Sequence, residues 1–315
     1  GLSMNTLICG SIAYDSIMLF EDRFKNHILP DQVHILNVAF LVPEMRREFG
    51  GCAGNIAHTL QLLGGNPLVM ATVGQDHKPY TDLMLEKGLS IGHVTVIPDT
   101  FTAQAFITTD LDDNQITAFH PGAMNFSANN HVADAANISL GIVAPDGRDG
   151  MIQHSEEFAE AGIPFVFDPG QGLPMFNRDE LLRFIDLADY AAMNDYEAKM
   201  LEEKTGKTLS DIAGSLKALV VTRGGDGSAI YTGGKHIDIP LVTADEIVDP
   251  TGCGDSYRSG LLYGIQSGFD WETTGRLASL LGAIKIANKG PQNHTFDRSF
   301  IEVKYKESFG QPLDW

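Results

Sequence analysis

Cysteine is scarce in this 315-residue chain, which contains only Cys9, Cys52 and Cys253. None of them belongs to a CxxC pair or has a companion histidine pattern, so the sequence predicts neither a zinc site nor a disulfide framework. This usage is typical of a protein of the reducing cytoplasm. We expect the three thiols to be small buried side chains, with a redox role as the alternative, because two of them lie in glycine-rich motifs.

Basic residues are scarce as well: 22 lysines and arginines stand against 41 acids, which gives a formal charge of −19. This charge repels nucleic acid and anionic membrane surfaces, so we expect neither as a partner. The sequence also lacks an apolar run of about 18 residues and the basic-then-apolar pattern of a secretion signal. An anionic ligand would have to be held by local groups.

What the sequence has is a regular alternation of strand-like and helix-like segments. TLICGS predicts a short apolar strand and a Gly-Ser turn, and residues 53–64 predict a helix that stops at a Gly-Gly pair. IPFVFDPGQG predicts a buried strand that ends at Asp168. Such alternation predicts an α/β fold with a mostly parallel central sheet and helices on both faces. Right-handed crossovers then place the ligand-binding loops along one edge of that sheet.

Two segments depart from this alternation, at about 14–48 and 101–123. The second alternates apolar and polar residues around Asp112-Asp113-Asn114, which predicts a β-hairpin. We expect the two segments to form a small β-sheet lid over the strand ends. The sequence shows no internal repeat and no low-complexity linker, so we expect a single domain over 1–315 that includes this lid.

The stretch DPTGCGDSYRSG, residues 249–260, contains two acids and three glycines at the junction with a predicted helix. Glycines there let successive backbone N–H groups converge, and the helix dipole adds positive potential, which makes an anion-binding site. Asp255 beside it would take a proton from a hydroxyl, while the amides of Gly252, Cys253 and Gly254 hold a phosphoryl group in transfer. The alternative is that Asp255 only caps the helix.

A second glycine cluster, FGGCAGN at residues 49–55, also leads into a predicted helix. Its small residues would let a ligand lie against the backbone, and the Asn55 amide offers a donor and an acceptor to vicinal hydroxyl groups. The alternative is a tight turn with an asparagine cap.

Two further motifs follow predicted strands. TRGGDG at residues 222–227 places glycines where a nucleotide phosphate would lie at a strand end, although a glycine-rich hairpin turn fits equally well. It is neither a P-loop nor GxGxxG. NDYE places Asn194 and Glu197 on one helix face, where the pair would order magnesium-bound water or simply cap the helix.

Taken in this order, the motifs resemble those of the ribokinase-like carbohydrate and nucleoside kinases, also called the phosphofructokinase-B (PfkB) family. The resemblance runs over essentially the whole chain and is most specific at DPTGCGD. Within the family the chain is most similar to bacterial adenosine kinases, which share three further segments: Gly10-Ser11-Ile12-Ala13 followed by Asp15, Ala39-Phe40-Leu41-Val42, and His120 to Met124.

The resemblance implies a ribokinase-like fold with a small β-sheet lid, and ATP-dependent phosphorylation of the 5′-hydroxyl of a nucleoside, most of all adenosine. It implies ATP and Mg²⁺ as cofactors and raises K⁺ as a further one, and by analogy it implies a homodimer formed through the lid. The alternatives are a kinase acting on ribose, another sugar or a different nucleoside, and a non-catalytic nucleoside-binding protein. A Rossmann oxidoreductase is disfavoured because no GxGxxG follows the first strand.

The resemblance also implies a role for each motif residue. Asp255 would activate the 5′-hydroxyl, and the backbone amides of Gly252 to Asp255 would surround the γ-phosphoryl group. Glu197 would hold Mg²⁺ through water. The nucleoside would contact Ser11, Asp15, Gly51, Asn55, Phe119 and Gln171. ATP would contact Asn194, Thr222, Gly224, Gly225, Gly227 and, near its adenine, Asn288.

The chain departs from the adenosine kinases at two positions. Those enzymes hold adenine between two aromatic rings of the lid hairpin; Phe119 matches one ring, but the other falls at Ala105, with Phe106 one position away on the opposite strand face. Where the relatives read Asp-Pro-Ser-Gln-Gln, this chain ends the motif with Gly172. A lost stack removes about 0.5–1.5 kcal/mol beyond area burial, so adenosine specificity is the open part of the prediction.

Overall fold

The structure is a computed structural model that describes residues 4–315, so residues 1–3 of the predicted domain lie outside it. Its strands are β1 (Asn5–Cys9), β2 (Ala13–Leu19), β3 (Glu44–Gly50), β4 (Pro67–Val73), β5 (Val94–Val96), β6 (Ala103–Thr109), β7 (Gln115–His120), β8 (Ile138–Val143), β9 (Phe165–Phe167), β10 (Tyr190–Asn194), β11 (Ala218–Thr222), β12 (Ser228–Thr232) and β13 (Lys235–Ile239). Its α-helices are α1 (Cys52–Leu62), α2 (Lys78–Glu86), α3 (Arg148–Glu160), α4 (Arg178–Leu187), α5 (Asp195–Thr205), α6 (Leu209–Gly214), α7 (Cys253–Ser267), α8 (Trp271–Ile286) and α9 (Arg298–Phe309).

Within the described residues the central sheet has nine strands in the order β13-β12-β11-β10-β9-β8-β1-β4-β5. The strands from β11 across to β5 pair in parallel, and β12 and β13 add an antiparallel edge. The predicted mostly parallel sheet is therefore confirmed, and the carboxyl ends of its parallel strands lie along one edge.

Helices cover both faces of this sheet, because successive side chains of a strand point to opposite sides. In β1, Ile8 packs in a cluster with side chains of α1, α7 and α8, whereas Leu7 and Cys9 pack in a second cluster with side chains of α3, α4 and α5. Over residues 4–315, no helix is both long and apolar enough to cross a membrane.

The two segments that depart from the alternation form a separate four-stranded sheet in the order β3-β2-β6-β7. We call it the lid sheet. β2 pairs antiparallel with β3 and parallel with β6, and β6 and β7 form the predicted antiparallel hairpin. The Asp110 carboxylate fixes the hairpin turn by accepting the amides of Asp112 and Asn114, each at 2.9 Å.

Candidate active site

The predicted ligand loops lie at the carboxyl ends of the parallel strands, which is where open α/β sheets bind ligands. Ser11 follows β1, Asp168 follows β9, and Asn194 and Thr222 end the adjacent strands β10 and β11 in direct register. The start of α7, with Asp255 in its first turn, meets this edge. The sheet topology thus gathers residues that are far apart in the sequence.

The first turn of α7 has the geometry of an anion-binding site. The helix is capped by Gly252, whose left-handed backbone (φ 81°, ψ 3°) favours glycine, and Asp255 lies inside the turn instead of at the cap. The Cys253 amide donates to the carbonyl oxygen of Pro250 at 3.1 Å, and the role of Cys253 as a phosphoryl donor stays a prediction. Within the described residues, the backbone amides of Gly252, Gly254 and Asp255 donate no hydrogen bond to another backbone group.

The carboxylate of Asp255 is held by the side chain of Asn55 from α1. Asn55 Nδ2 donates to Asp255 Oδ2 at 2.9 Å. Burial raises the pKa of Asp255 to about 6; the nearby charge of Asp168 adds to the rise, and the Asn55 hydrogen bond and the Arg258 charge oppose it. A carboxylate with a pKa near but below neutrality is well suited to be a general base.

Behind Asn55 lies a hydrogen-bonded chain that sequence reasoning missed. Lys87 Nζ donates to Gln292 Oε1 at 2.8 Å, and Gln292 Nε2 donates to Asn55 Oδ1 at 3.0 Å and to the Tyr80 hydroxyl at 2.8 Å. A lysine ammonium can only donate and a carboxylate can only accept, so Lys87 at one end and Asp255 at the other fix the orientation of both amides. Gln292 belongs to no motif, and only its position in the loop after α8 marks it.

Arg258 lies one helical turn after Asp255 and forms a buried ion pair with Asp168. Arg258 Nε and Nη2 lie 3.3 Å from the two carboxylate oxygens of Asp168, and the residues are 6% and 3% exposed. Burial raises the pKa of Asp168 and the charge of Arg258 opposes the rise. Burial also raises the pKa of Glu197, with Asp168 adding and Arg258 opposing. Arg258 is thus a positive charge close to the three acids Asp168, Glu197 and Asp255. Sequence reasoning missed this residue as well.

One face of the lid sheet carries a row of three aligned residues: Asp15 pairs with Ala105, and Ala105 pairs with Phe119. Phe119 is 52% exposed. Phe106 pairs with Ala118 and therefore points to the opposite face, so it cannot supply a second ring beside Phe119. Burial raises the pKa of Asp15 to about 6, and the charge of Glu48, which pairs with it on β3, adds to the rise.

The turn between β3 and α1 also packs against the segment that follows β1. Gly51 has φ 88°, and a Cβ atom there would lie 2.5 Å from the carbonyl oxygen of Ser11. The Ser11 hydroxyl accepts the amide of Cys52 at 3.1 Å, so Ser11 satisfies the start of the helix that carries Asn55. The tight-turn interpretation of Gly51 is therefore correct, and Asn55 lies in the helix and does not cap it.

At the start of α5, Asn194 and Glu197 form a reciprocal capping box. The Glu197 amide donates to Asn194 Oδ1 at 2.7 Å, and the Asn194 amide donates to Glu197 Oε1 at 3.0 Å. The capping alternative therefore describes how these two residues bond to each other. Their place beside Asp168 and Arg258 still leaves the Glu197 carboxylate within electrostatic reach of the α7 site.

The TRGGDG motif forms a turn between β11 and β12. Gly227 has φ 80°, and a Cβ atom there would lie 2.3 Å from a backbone oxygen of β13, so the hairpin itself requires this glycine. By contrast, a Cβ atom at Gly224 or Gly225 would meet no described atom within 4 Å. The open space beside these two glycines leaves room for a ligand.

Among the described residues, Asn288 and Gln171 form no hydrogen bond with the chain of side chains that joins Lys87 to Asp255. Asn288 follows α8, donates to the Ile284 carbonyl oxygen at 2.9 Å, and borders a cavity of about 350 Å³ that is also lined by Val242 and Phe300. This mixed apolar and polar lining suits a heteroaromatic base. Gln171 is exposed in the short 3₁₀ turn Gly170–Met175.

The three thiols are free and have raised pKa values. Burial is the main cause at each: the pKa values of Cys9 and Cys52 lie well above the usual range, and that of Cys253 rises to about 11. The thiolate is the reactive form of cysteine. Raised thiol pKa values therefore favour the interpretation of the three cysteines as small buried side chains over a redox role.

With this geometry in place, comparison with known proteins identifies the family. A model described as pfkB family carbohydrate kinase matches residues 20–297. The chain belongs to the PfkB family. It is accordingly a phosphotransferase with an alcohol group as acceptor.

Among PfkB relatives, the nucleoside kinase of Methanocaldococcus jannaschii is 30% identical over 266 residues, which cover 83% of this chain and 87% of that protein. Its solved structure, an archaeal member of the ribokinase family, matches with a TM-score of 0.88 and 28% identity over 98% of this chain and 100% of that chain. The fold is therefore ribokinase-like, and the lid sheet is part of it.

A solved PfkB relative with higher identity is the nucleoside kinase of Burkholderia thailandensis. Its complex with inosine matches with a TM-score of 0.89 and 56% identity over 98% of this chain and 99% of that chain. Its complex with ADP-inosine matches with a TM-score of 0.87 and 58% identity over 98% and 97% of the two chains.

Proposed function

We propose that this PfkB protein is an ATP-dependent nucleoside kinase that phosphorylates the 5′-hydroxyl group, acting as one domain whose lid closes over the nucleoside. The observation that carries the proposal is Asp255, a carboxylate with a pKa of about 6 that is held by Asn55 beside unoccupied backbone amides. The similarity to nucleoside kinases over nearly the whole chain supports the acceptor class.

In this mechanism the 5′-oxygen attacks the γ-phosphorus while Asp255 accepts its proton. The new bond joins the 5′-oxygen to phosphorus, and the bond between the γ-phosphorus and the bridging β-oxygen breaks to release ADP. The amides of Gly252, Gly254 and Asp255 would bind the oxygens that gain charge. Positioning and charge stabilisation supply most of the rate enhancement in such reactions.

The residues present also fit Mg²⁺ held through water. Within residues 4–315, no group of three His, Cys, Asp or Glu side chains could ligate a metal directly. Mg²⁺ keeps several of its waters when bound, so phosphate oxygens and water would fill its sphere, with the Glu197 carboxylate accepting from one of those waters. Mg²⁺ would neutralise phosphate charge. The ATP phosphates would lie beside Asn194, Thr222, Gly224 and Gly225.

The cavity beside Asn288 would take the adenine of ATP, while the row on the lid sheet would bind the nucleoside. Asp15 and Asn55 would bind the ribose hydroxyls, with Gly51 and Ser11 shaping the floor beneath them and Gln171 at the base end. Phe119 would stack on one face of the nucleobase. Because Ala105 stands where a second ring would clamp the base, we propose that the protein accepts both adenosine and inosine; the inosine complex of the B. thailandensis enzyme supports this.

We also propose a homodimer formed through the lid sheet. Its edge strands β3 and β7 leave backbone groups unpaired within the described chain, and the side chains of Leu41, just before β3, and Met45, within β3, are exposed. Unpaired edges backed by exposed apolar side chains favour association with another strand. Light scattering in solution checks the expected dimer mass.

The deciding experiment measures ADP release with adenosine, inosine, guanosine and ribose as acceptors. We expect turnover with the purine nucleosides, and a loss of about 10²–10⁴-fold in Asp255→Asn, the usual contribution of a general base. ATP affinity should remain. Asp186→Asn, an exposed acid of α4, is the matched control and should be unchanged. Normal turnover by Asp255→Asn, or phosphorylation of ribose with the nucleosides inert, would contradict the proposal.

A further inference from the structure

Lys285, in α8, is fully buried, with 0% of its surface exposed. A buried ammonium is costly unless it is paired. Lys285 Nζ donates to the carbonyl oxygens of Asp249 and Asn288, each at 2.8 Å. Its positive charge is thus held by two backbone carbonyl groups from different loops.

These two loops meet at the anion-binding start of α7. The loop that begins at Asp249 leads into Gly252, and the loop that follows Asn288 runs through Gly290 and Pro291. The Gly290 amide donates to the Asp249 carboxylate at 2.8 Å, and a Cβ atom at Gly252 would lie 2.8 Å from Pro291 Cβ. The ammonium therefore ties together the loops that set the position of the phosphoryl-binding amides.

Converging backbone carbonyl oxygens are also how proteins bind bare monovalent cations. The kinases that this chain resembles often need K⁺, so the carbonyl pair at Asp249 and Asn288 is a place to test whether K⁺ fits. It does not fit there, because Lys285 Nζ already occupies the point where the two oxygens converge. A lysine ammonium is a compact charge that supplies its own donors and remains covalently attached.

We propose that Lys285 is a built-in cation that holds the anion-binding loop in its working geometry, so that phosphoryl transfer by this protein does not depend on K⁺. The proposal rests on the proposed kinase function. Lys285 contacts loop carbonyl groups and no reacting atom, so it is a positioning residue. Burial lowers the pKa of Lys285, and the neighbouring Cys253 and the carboxylates of Asp249 and Glu48 oppose this.

The first test uses the unmodified protein. ADP release and melting temperature are measured in K⁺ chloride and in choline chloride at equal ionic strength, with Mg²⁺ present and ATP added as its Tris salt. We expect the same rate and the same melting temperature in both salts. A rate or a melting temperature that rises with K⁺ would overturn the proposal. If no nucleoside is phosphorylated in either salt, the proposed function fails, and the melting temperature alone still decides this inference.

The second test removes the charge with Lys285→Met. We expect turnover to fall by about tenfold to a hundredfold, as small misplacements of catalytic groups do, and the melting temperature to fall as well. Added K⁺ or NH₄⁺ should restore part of both in the variant, and choline should restore neither. Lys306→Met, an exposed lysine of α9, is the matched control. Unchanged turnover in Lys285→Met would contradict the positioning role, and a variant that does not fold leaves the decision to the first test.

Discussion

Replacing Arg258 with methionine tests whether burial or distance sets the strength of an ion pair in this protein. Arg258 lies 3.3 Å from the carboxylate of Asp168, and both residues are more than nine-tenths buried. Its removal leaves a buried carboxylate without a partner, which costs about 3–5 kcal/mol. Arg183 lies closer to its partner Glu156, at 2.9 Å, but these side chains are 57% and 36% exposed. Arg183→Met should therefore cost only about 0–1 kcal/mol.

Urea unfolding of the ligand-free protein measures both variants, and a double variant completes the comparison. Asp168→Asn is measured alone and in the Arg258→Met background, where it removes the unpaired buried charge. The double variant should be more stable than the sum of the losses in Arg258→Met and Asp168→Asn predicts, by about 0.5–3 kcal/mol. The reasoning is refuted if Arg258→Met costs no more free energy of unfolding than Arg183→Met. It is also refuted if the losses in Arg258→Met and Asp168→Asn add up to the loss in the double variant.

The remaining predictions concern the base. Asp255 must be deprotonated to accept a proton, and Asp15 must be deprotonated to accept hydrogen bonds from hydroxyl groups. We therefore expect kcat/KM to fall as pH drops through about 6. A flat profile of kcat/KM from about pH 5 to 8 would contradict both roles. Gln292→Leu should lower kcat more than it raises KM. It should also move the pH at which kcat/KM falls to a higher value, because Gln292 no longer holds in place the Asn55 hydrogen bond that lowers the pKa of Asp255. An unchanged pH profile would reduce Gln292 to a packing residue.

The parts of the fold that were predictable depend on short stretches of sequence. The strand before Asp168 and the junction at Asn194 could be located because apolar runs and capping residues act over a few positions. The motif residues were placed on the correct edge of the sheet because parallel strands share that edge. The lid hairpin could be predicted because apolar and polar residues alternate on both sides of its turn.

The parts that were missed depend on contacts between distant segments. Gln292 reaches Asn55 across 237 positions of the chain, and Arg258 reaches Asp168 across 90. Neither partner can be identified before the sheet topology is known. The hydrogen bond of the Cys253 amide to the Pro250 carbonyl oxygen was also missed, because it depends on the turn at Gly252.

The junction between the lid sheet and α1 has a consequence for binding energetics. β3 ends at Gly50 and α1 begins at Cys52, so only Gly51 separates a lid strand from the helix that holds Asn55 against the base. If β3 moves when nucleoside binds, the movement would reach Asn55 through this single residue, and Asn55 donates to the Asp255 carboxylate. Free-energy coupling between two sites is reciprocal, so the factor by which nucleoside changes the affinity for ATP equals the factor by which ATP changes the affinity for nucleoside.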